Sequence, residues 1–269
     1  MTKANIPGWN DRATIHLRDA TGFYNIEGFK AGADTLLPVE AAEVGDVTGL
    51  RVAHLQCHFG LDTLSLARRG AKATGLDFSS VAIEGARKLA AETGLEATFV
   101  QSDVYAARKA LGGEYDLVYV TWGAINWLPD IARWGAVIAT LLKPGGRFYM
   151  AEIHPSAYVL AESAYRYVVN DNWRTPITKP LVSTEPLTYT GDPTPLDNPV
   201  IRQWAHPLSA IVMSLIDAGL RLDFLREHEF LPYRMFPSMI EVERQSFRLP
   251  EGAPIFPLSF SLSATKQGV

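Results

Sequence analysis

At 269 residues, with 47% hydrophobic and 20% charged side chains, the chain has the size and composition of one globular domain carrying insertions. Its formal net charge of −4 argues against a nucleic-acid partner, because a phosphate-binding groove needs clustered Lys and Arg. A single cysteine, Cys57, excludes an internal disulfide and a thiolate metal site.

The first residues, Met1-Thr2-Lys3-Ala4-Asn5, lack the apolar core of a signal peptide, and no apolar run reaches roughly 18 residues. A soluble, cytoplasmic chain without membrane contacts is therefore expected. Residues 1–50 mix polar and aromatic side chains (Trp9, Asn10, Arg12, His16, Phe23, Tyr24) without a clear period and read as a helical cap. From Arg51 onward, short apolar runs alternate with helix-period stretches, the pattern of a doubly wound α/β sheet. Strands are expected at 51–55, 73–77, 97–100, 116–121 and 147–153. A helix capped by Ser79 or Ser80 and stopped at Gly94 follows the second of them. Another helix, over about 129–142, precedes Lys143-Pro144-Gly145-Gly146. Residues 155–203 break this rhythm with Pro, Thr, Asn, Asp and scattered aromatics, and read as a partly hairpin insertion forming a lid. Regularity returns over 204–269. Pro207 opens a helix whose apolar face carries Leu208, Ile211, Val212, Leu215 and Ile216, Gly219 ends it, and strands are expected at 221–229 and 255–264.

In such a sheet, ligands sit beyond the carboxyl ends of the strands. Three features meet there. The first strand turns through a tight loop containing Gly60, the second ends in Asp77, and the third ends near Asp103. A carboxylate at Asp77 suits the two hydroxyls of a ribose, and one at Asp103 an adenine amino group, although either residue also suits the cap of the helix that follows it. A dinucleotide would need small residues where Gln56, His58 and Phe59 stand, and Asp62 in the first helical turn would repel a phosphate.

The stretch from Arg51 to His154 resembles the class I S-adenosylmethionine-dependent methyltransferases. The resemblance rests on Gly75-Leu76-Asp77-Phe78-Ser79, Ser102-Asp103-Val104, Tyr115-Asp116-Leu117-Val118 and, most specifically, Leu141-Leu142-Lys143-Pro144-Gly145-Gly146-Arg147-Phe148. It implies a Rossmann-like methyltransferase sheet of seven strands in order 3-2-1-4-5-7-6, the last antiparallel, with 51–154 as its cofactor-binding core. It also implies S-adenosylmethionine held by Tyr24, Gln56, Cys57, His58, Gly60, Asp77, Phe78, Ser79, Asp103, Val104 and Thr121. The chain departs from the family in its first motif: His54, Gln56 and His58 replace an acidic residue and two glycines, and Gly60 alone is kept. A similar Gln-Cys-His-Phe-Gly loop is found in a subgroup of bacterial small-molecule methyltransferases. The acid's contact to the methionine end of the cofactor must come from elsewhere, with Tyr24, Thr121 and the 56–60 backbone as candidates.

For the acceptor, the histidines give a lead. The implied topology brings His154, His206 and His228 to one sheet edge, with the fifth and sixth strands about 9.5 Å apart across the seventh. Three imidazoles there suit a divalent metal such as zinc with open positions. Such a site would chelate a 2-oxo acid and stabilise the enolate whose carbon takes the methyl group. In this the chain resembles, more weakly, the bacterial 2-oxo acid C-methyltransferases. A carboxylic acid is thus the expected acceptor. The alternatives are metal-free O- or N-methylation with His154 as general base and a non-catalytic cofactor-binding protein. Tyr158, Tyr165, Trp173, Tyr189, Trp122 and Trp127 are expected pocket walls, Glu152 and Glu227 orienters of the histidines, and Arg174 and Arg244 carboxylate contacts or solvated surface.

Overall fold

Each parallel strand pair needs a crossover, and the chain supplies a helix for most of them. The computed structural model describes residues 3–163 and 166–268. Its main sheet comprises β1 (Arg51–Leu55), β2 (Lys72–Asp77), β3 (Ala97–Gln101), β4 (Tyr115–Thr121), β5 (Leu142–Ile153), β6 (Leu220–His228) and β7 (Ser259–Lys266). The spatial order is 3-2-1-4-5-7-6, parallel from β3 through β5, with β7 antiparallel to both its neighbours. The doubly wound, Rossmann-like α/β sheet is thus present with its expected order.

Five helices carry most of the packing: α1 (Ile6–Arg18), α2 (Leu61–Arg68), α3 (Ser80–Thr93), α4 (Ile131–Leu141) and α5 (Leu208–Ile216). Strand alternation divides the core between the two faces. Ala53, Leu55, Val118, Val120, Phe148 and Met150 pack with Trp134 and Ile138 of α4 and with Ile211 and Leu215 of α5. Val52, Leu117, Tyr119, Tyr149 and Ala151 pack with Leu66 of α2 and with Val44 of the short helix Pro38–Val44. A third cluster joins Ala13 of α1 to Ile83, Ala86 and Leu89 of α3 and to Phe59 and Phe99. α3 begins and ends at the expected residues: the Ser79 hydroxyl accepts the Ala82 N–H, and Gly94 closes the helix in a left-handed conformation.

Some boundaries move. β5 starts at Leu142 rather than at 147, because Leu142 pairs with Tyr115 and the Pro144-Gly145-Gly146 turn makes an irregularity within the strand rather than a stop before it. β7 starts at Ser259, four residues later than expected. The cap is helical over Ile6–Arg18, Ile26–Lys30 and Pro38–Val44. Two antiparallel strand pairs, Leu160–Ser163 with Arg166–Val169 and Leu181–Thr184 with Val200–Gln203, lie in the 155–203 insertion. A third, Ile240–Glu243 with Ser246–Arg248, lies between β6 and β7. Among the described residues, no helix is long and apolar enough to cross a membrane.

The closest helix–helix approach tested by a glycine is at Gly135 of α4, where a Cβ would lie 2.3 Å from the Ser214 carbonyl oxygen of α5. Backbone on both sides leaves no flexible atom to give way. Gly135→Ala should therefore destabilise the protein by about 1–3 kcal/mol, the usual cost of overpacking, and lower Tm by several degrees. An unchanged thermal unfolding curve would show that the two helices can separate freely.

Candidate functional site

The site is built on the loop that leaves β1. Three of its five residues have left-handed backbone: Gln56 (φ 57°), His58 (φ 52°) and Gly60 (φ 79°). Gln56 and His58 occupy positions where glycine would cost nothing, and a side chain in that region costs roughly 1–2 kcal/mol. The loop keeps the glycine-like path because it is tied down. The Asp77 carboxylate at the end of β2 accepts the His58 N–H at 3.0 Å through Oδ2 and the Ser79 N–H at 2.8 Å through Oδ1. Gln56 Nε2 donates to the Ala124 carbonyl at 2.6 Å, and the Cys57 N–H donates to the Leu76 carbonyl at 3.0 Å. Gly60 itself is needed twice over, since a Cβ there would also meet the Phe99 ring at 2.5 Å. Burial raises the Asp77 pKa to about 6, against the pull of the backbone N–H groups it accepts.

Over this loop lies a cavity of about 520 Å³ at the carboxyl edge of the sheet. Of the residues expected to hold a cofactor, Tyr24, Gln56, Cys57, His58, Gly60, Asp77, Phe78 and Thr121 line it. Ser79, Asp103 and Val104 stand outside its lining. The Ser79 hydroxyl donates to Asn10, Asp103 caps the turn Val104–Ala106 by accepting the Tyr105 N–H at 2.9 Å, and Val104 is core.

The cap and the 155–203 insertion meet above the loop. Tyr24 OH lies 2.5 Å from Tyr189 OH and 3.1 Å from His16 Nδ1. His16 Nδ1 lies 3.2 Å from His58 Nε2, and His16 Nε2 lies 2.5 Å from Thr188 Oγ1. Burial lowers the pKa of His16 to about 2 and that of His58 to about 3, so both imidazoles are neutral near pH 7. Trp9 sits edge-on to Trp127, with ring centroids 5.1 Å apart. Tyr158, Tyr189, Trp122 and Trp127 line the cavity as expected, whereas Trp173 is exposed and Tyr165 lies outside the described residues. Arg174 and Arg244 are not part of the lining; Arg174 sits over the exposed Trp173 ring, and Arg244 donates to the Phe23 carbonyl.

At the other end of the cavity are two carboxylates that sequence reasoning missed as ligand groups. Asp62 accepts from Thr35 Oγ1 at 2.7 Å and Thr121 Oγ1 at 3.4 Å. Glu40 accepts from Tyr119 OH at 2.6 Å and the Leu37 N–H at 2.7 Å. Burial, and secondarily the charge of Asp62, raises Glu40 to about 8, and burial raises Asp62. Both stand at the end of the cavity near His54, Glu40 mostly protonated at pH 7 with its pKa at about 8, and His54 is itself buried and bonded to Thr63. Asp62 was legible as a group hostile to phosphate. Glu40 comes from the cap, and nothing in its local sequence ties it to the sheet edge.

The three later histidines do not converge. Strand register gives the reason: Ile153, Ser259 and His228 are aligned across β5, β7 and β6, so His154, one residue on, faces the opposite side from His228. His154 Nδ1 accepts the Ser156 N–H at 3.1 Å, and its Nε2 lies 3.1 Å from Glu227 Oε1. His228 Nε2 lies 2.9 Å from Ser261 Oγ, and His206 Nε2 lies 2.7 Å from the Leu128 carbonyl. None of the three lines the main cavity; His206 borders a small cleft beside it. Among the described residues, no group of three His, Cys, Asp or Glu side chains could hold a metal ion. The expected shared cation at His154, His206 and His228 therefore lacks its ligand geometry, and His154 is not placed to act as a base on anything in the cavity.

Glu152, expected to orient a histidine, holds the loop after β4 instead. Its fully buried carboxylate accepts N–H groups from Gly123 (2.6 Å), Ala124 (2.7 Å), Ile125 (3.2 Å) and Ile153 (2.7 Å). Glu152→Gln would aim an amide N–H at one of these donors. It should cost at least about 2 kcal/mol in urea unfolding; unchanged stability would mean the loop is held by other contacts.

Comparison with known proteins gives a consistent picture. A family model described as a methyltransferase domain matches residues 52–146. The chain is 32% identical over 127 residues to the ubiquinone biosynthesis O-methyltransferase of Aeromonas salmonicida, covering 46% of this chain and 53% of that one. It is 36% identical over 106 residues to the Vibrio cholerae protein of the same name, covering 39% and 43%. The chain thus spans about half the length of the curated relatives it matches. Solved S-adenosylmethionine-dependent methyltransferases from Methanosarcina mazei (TM-score 0.58, 19% identity, 87% of this chain and 99% of that one) and Mesorhizobium loti (TM-score 0.56, 19% identity, 88% and 99%) share the fold. Residues 52–146 match a methyltransferase domain, and the seven-stranded sheet they begin shares its fold with the solved S-adenosylmethionine-dependent methyltransferases.

Proposed function

We propose that the chain transfers the methyl group of S-adenosylmethionine to an oxygen or nitrogen of a small molecule held in the same cavity. The observation that carries this reading is the buried Asp77 carboxylate, which grips the β1 loop at the mouth of a 520 Å³ cavity while lining it. Its remaining lone pairs suit the paired hydroxyls of a ribose. The acid absent at position 54 is replaced in effect by Asp62 and Glu40, which suit the ammonium group of the methionine end. These same groups disfavour a pyrophosphate.

When bound, S-adenosylmethionine supplies an electrophilic methyl group on a sulfonium, and most of the protein's work is positioning. The cap and insertion, tied together through Tyr24 and Tyr189, enclose the reactants and exclude water. An oxygen or nitrogen acceptor sheds a proton, and His58 in the lining, its pKa lowered by burial to about 3, stays a neutral imidazole and is a poor base for it. Relatives named for O-methylation favour an oxygen acceptor. C-methylation of a 2-oxo acid rested on a cation shared by the three later histidines and has no support in their arrangement. A carboxylic acid is also disfavoured by charge. Asp62, Asp77 and Glu185 line the cavity against Arg12 and Arg234, with Glu40 mostly protonated near pH 7, and Arg12 is already paired with Glu185 at 3.3 Å.

Calorimetric titration with S-adenosylhomocysteine tests the cofactor half. Asp77→Ala should weaken binding by about 10- to 100-fold, and Asp62→Asn by about 5- to 10-fold. Wild-type affinity in Asp77→Ala would put the ribose elsewhere. Because the pKa of Asp77 is raised to about 6 and the ionised form is the better acceptor, affinity should fall as pH drops through 6, reaching about tenfold near pH 5. Glu40, at about 8, adds a shallower fall between pH 8 and 6. A flat profile from pH 8 to 5 would contradict both assignments.

A further inference from the structure

We propose that Asn126 selects the acceptor, its carboxamide oxygen accepting a hydrogen bond from a hydroxyl or amino group on a flat aromatic molecule that lies against Trp9 and Trp127. This rests on the reading that the cavity holds donor and acceptor together. Asn126 is only 6% exposed, and its Oδ1 has no donor among the described residues. It lines both the main cavity and the small cleft beside it, so it stands in the wall between them.

The side chain cannot easily swing out to find a partner in solvent. It sits in the short turn Ile125–Trp127, whose entry is clamped by Glu152 through the N–H groups of Gly123, Ala124 and Ile125. The Asn126 carbonyl accepts the Trp204 N–H at 2.7 Å, and Trp127 Nε1 donates to the Gly123 carbonyl at 2.6 Å. A fixed, buried, unmet acceptor is rare in a folded protein, and one in the wall of a cavity can take its donor from what the cavity holds. Gln56 Oε1 is a second unmet acceptor on the same cavity, pinned by its own Nε2 on Ala124, but it belongs to the loop expected to hold the methyl donor.

The unmet groups of the lining are of both signs, since Trp9 Nε1 and Trp122 Nε1 are donors without a partner among the described residues. A hydroxyl or amino group on the ligand can both donate to Asn126 and accept from an indole. An oxygen acceptor in the wall is satisfied by O–H or N–H and opposed by the oxygens of a carboxylate. The edge-on pair Trp9–Trp127, with Tyr158 and Tyr233 also in the lining, supplies flat apolar contact for an aromatic body. Hydrogen-bonding pockets of this kind reject analogues that lack the donor much more strongly than apolar pockets reject a missing methylene.

The test uses the full chain saturated with S-adenosylhomocysteine, with tryptophan fluorescence reporting titration by catechol and by 1,2-dimethoxybenzene, which has the same ring and no donor. Catechol should bind at least about tenfold more tightly than the dimethyl ether. Asn126→Leu should bring the two within about twofold while leaving S-adenosylhomocysteine affinity within about threefold of wild type. Asn126→Asp, which keeps an acceptor oxygen, should retain the preference and guards against a folding defect in the leucine variant. Equal binding of the two probes by wild type, absence of catechol binding, or a preference that survives in Asn126→Leu overturns the assignment. If the wild type fails to bind S-adenosylhomocysteine at all, the methyl-donor reading fails first; binding of that nucleoside without probe discrimination removes only the role of Asn126.

Discussion

The site depends on a carboxylate at the end of β2 holding backbone that would otherwise relax. Gln56 and His58 lie in the left-handed region without being glycine, and the N–H of His58 is kept there by Asp77. Asp77 in turn is buried, which raises its proton affinity, so the fold spends stability at both ends of this hydrogen bond. Such an arrangement persists when the surroundings leave the loop no alternative, and here they do. Gln56 is pinned to Ala124, Cys57 fills the space that a side chain at Gly75 would need, and Gly60 leaves room for Phe99. The result is a loop with the path of a glycine-rich turn and the side chains of a pocket wall.

A second carboxylate does comparable work on the neighbouring strand. Glu152, caged by four backbone N–H groups, shapes the turn after β4 that carries Trp122, Asn126 and Trp127 into the cavity. Asp77 and Glu152 therefore set two of the loops that line the cavity. The segments above them come from far away in the chain, and they are joined to each other by neutral hydrogen bonds among Tyr24, Tyr189, His16 and Thr188 and by the ion pair Arg12–Glu185. The His16–Thr188 contact is buried, whereas Tyr189 is partly open to solvent.

The sheet was legible because its signals are local. Apolar runs such as Asp116–Thr121, the Ser79 cap, the Gly94 stop and the Lys143-Pro144-Gly145-Gly146 turn each act within a few residues. Asp77 was legible for the same reason, lying at a strand end. Side-chain direction across non-adjacent strands was not. The expectation for His154, His206 and His228 placed them on one edge correctly in topology but ignored that register aligns His228 with Ile153 rather than with His154. The left-handed path at Gln56 and His58 is invisible to spacing, because those residues seldom adopt it. Glu40 and His16 enter the site from the cap through tertiary packing that no periodicity encodes.

The most direct measurement is a crystal structure of the protein grown with S-adenosylhomocysteine. The account predicts the nucleoside in the 520 Å³ cavity, its two ribose hydroxyls on the Asp77 carboxylate and its amino group toward Asp62 and Glu40. A ribose bound away from Asp77, or a cavity that stays empty while the nucleoside occupies another part of the molecule, would contradict it.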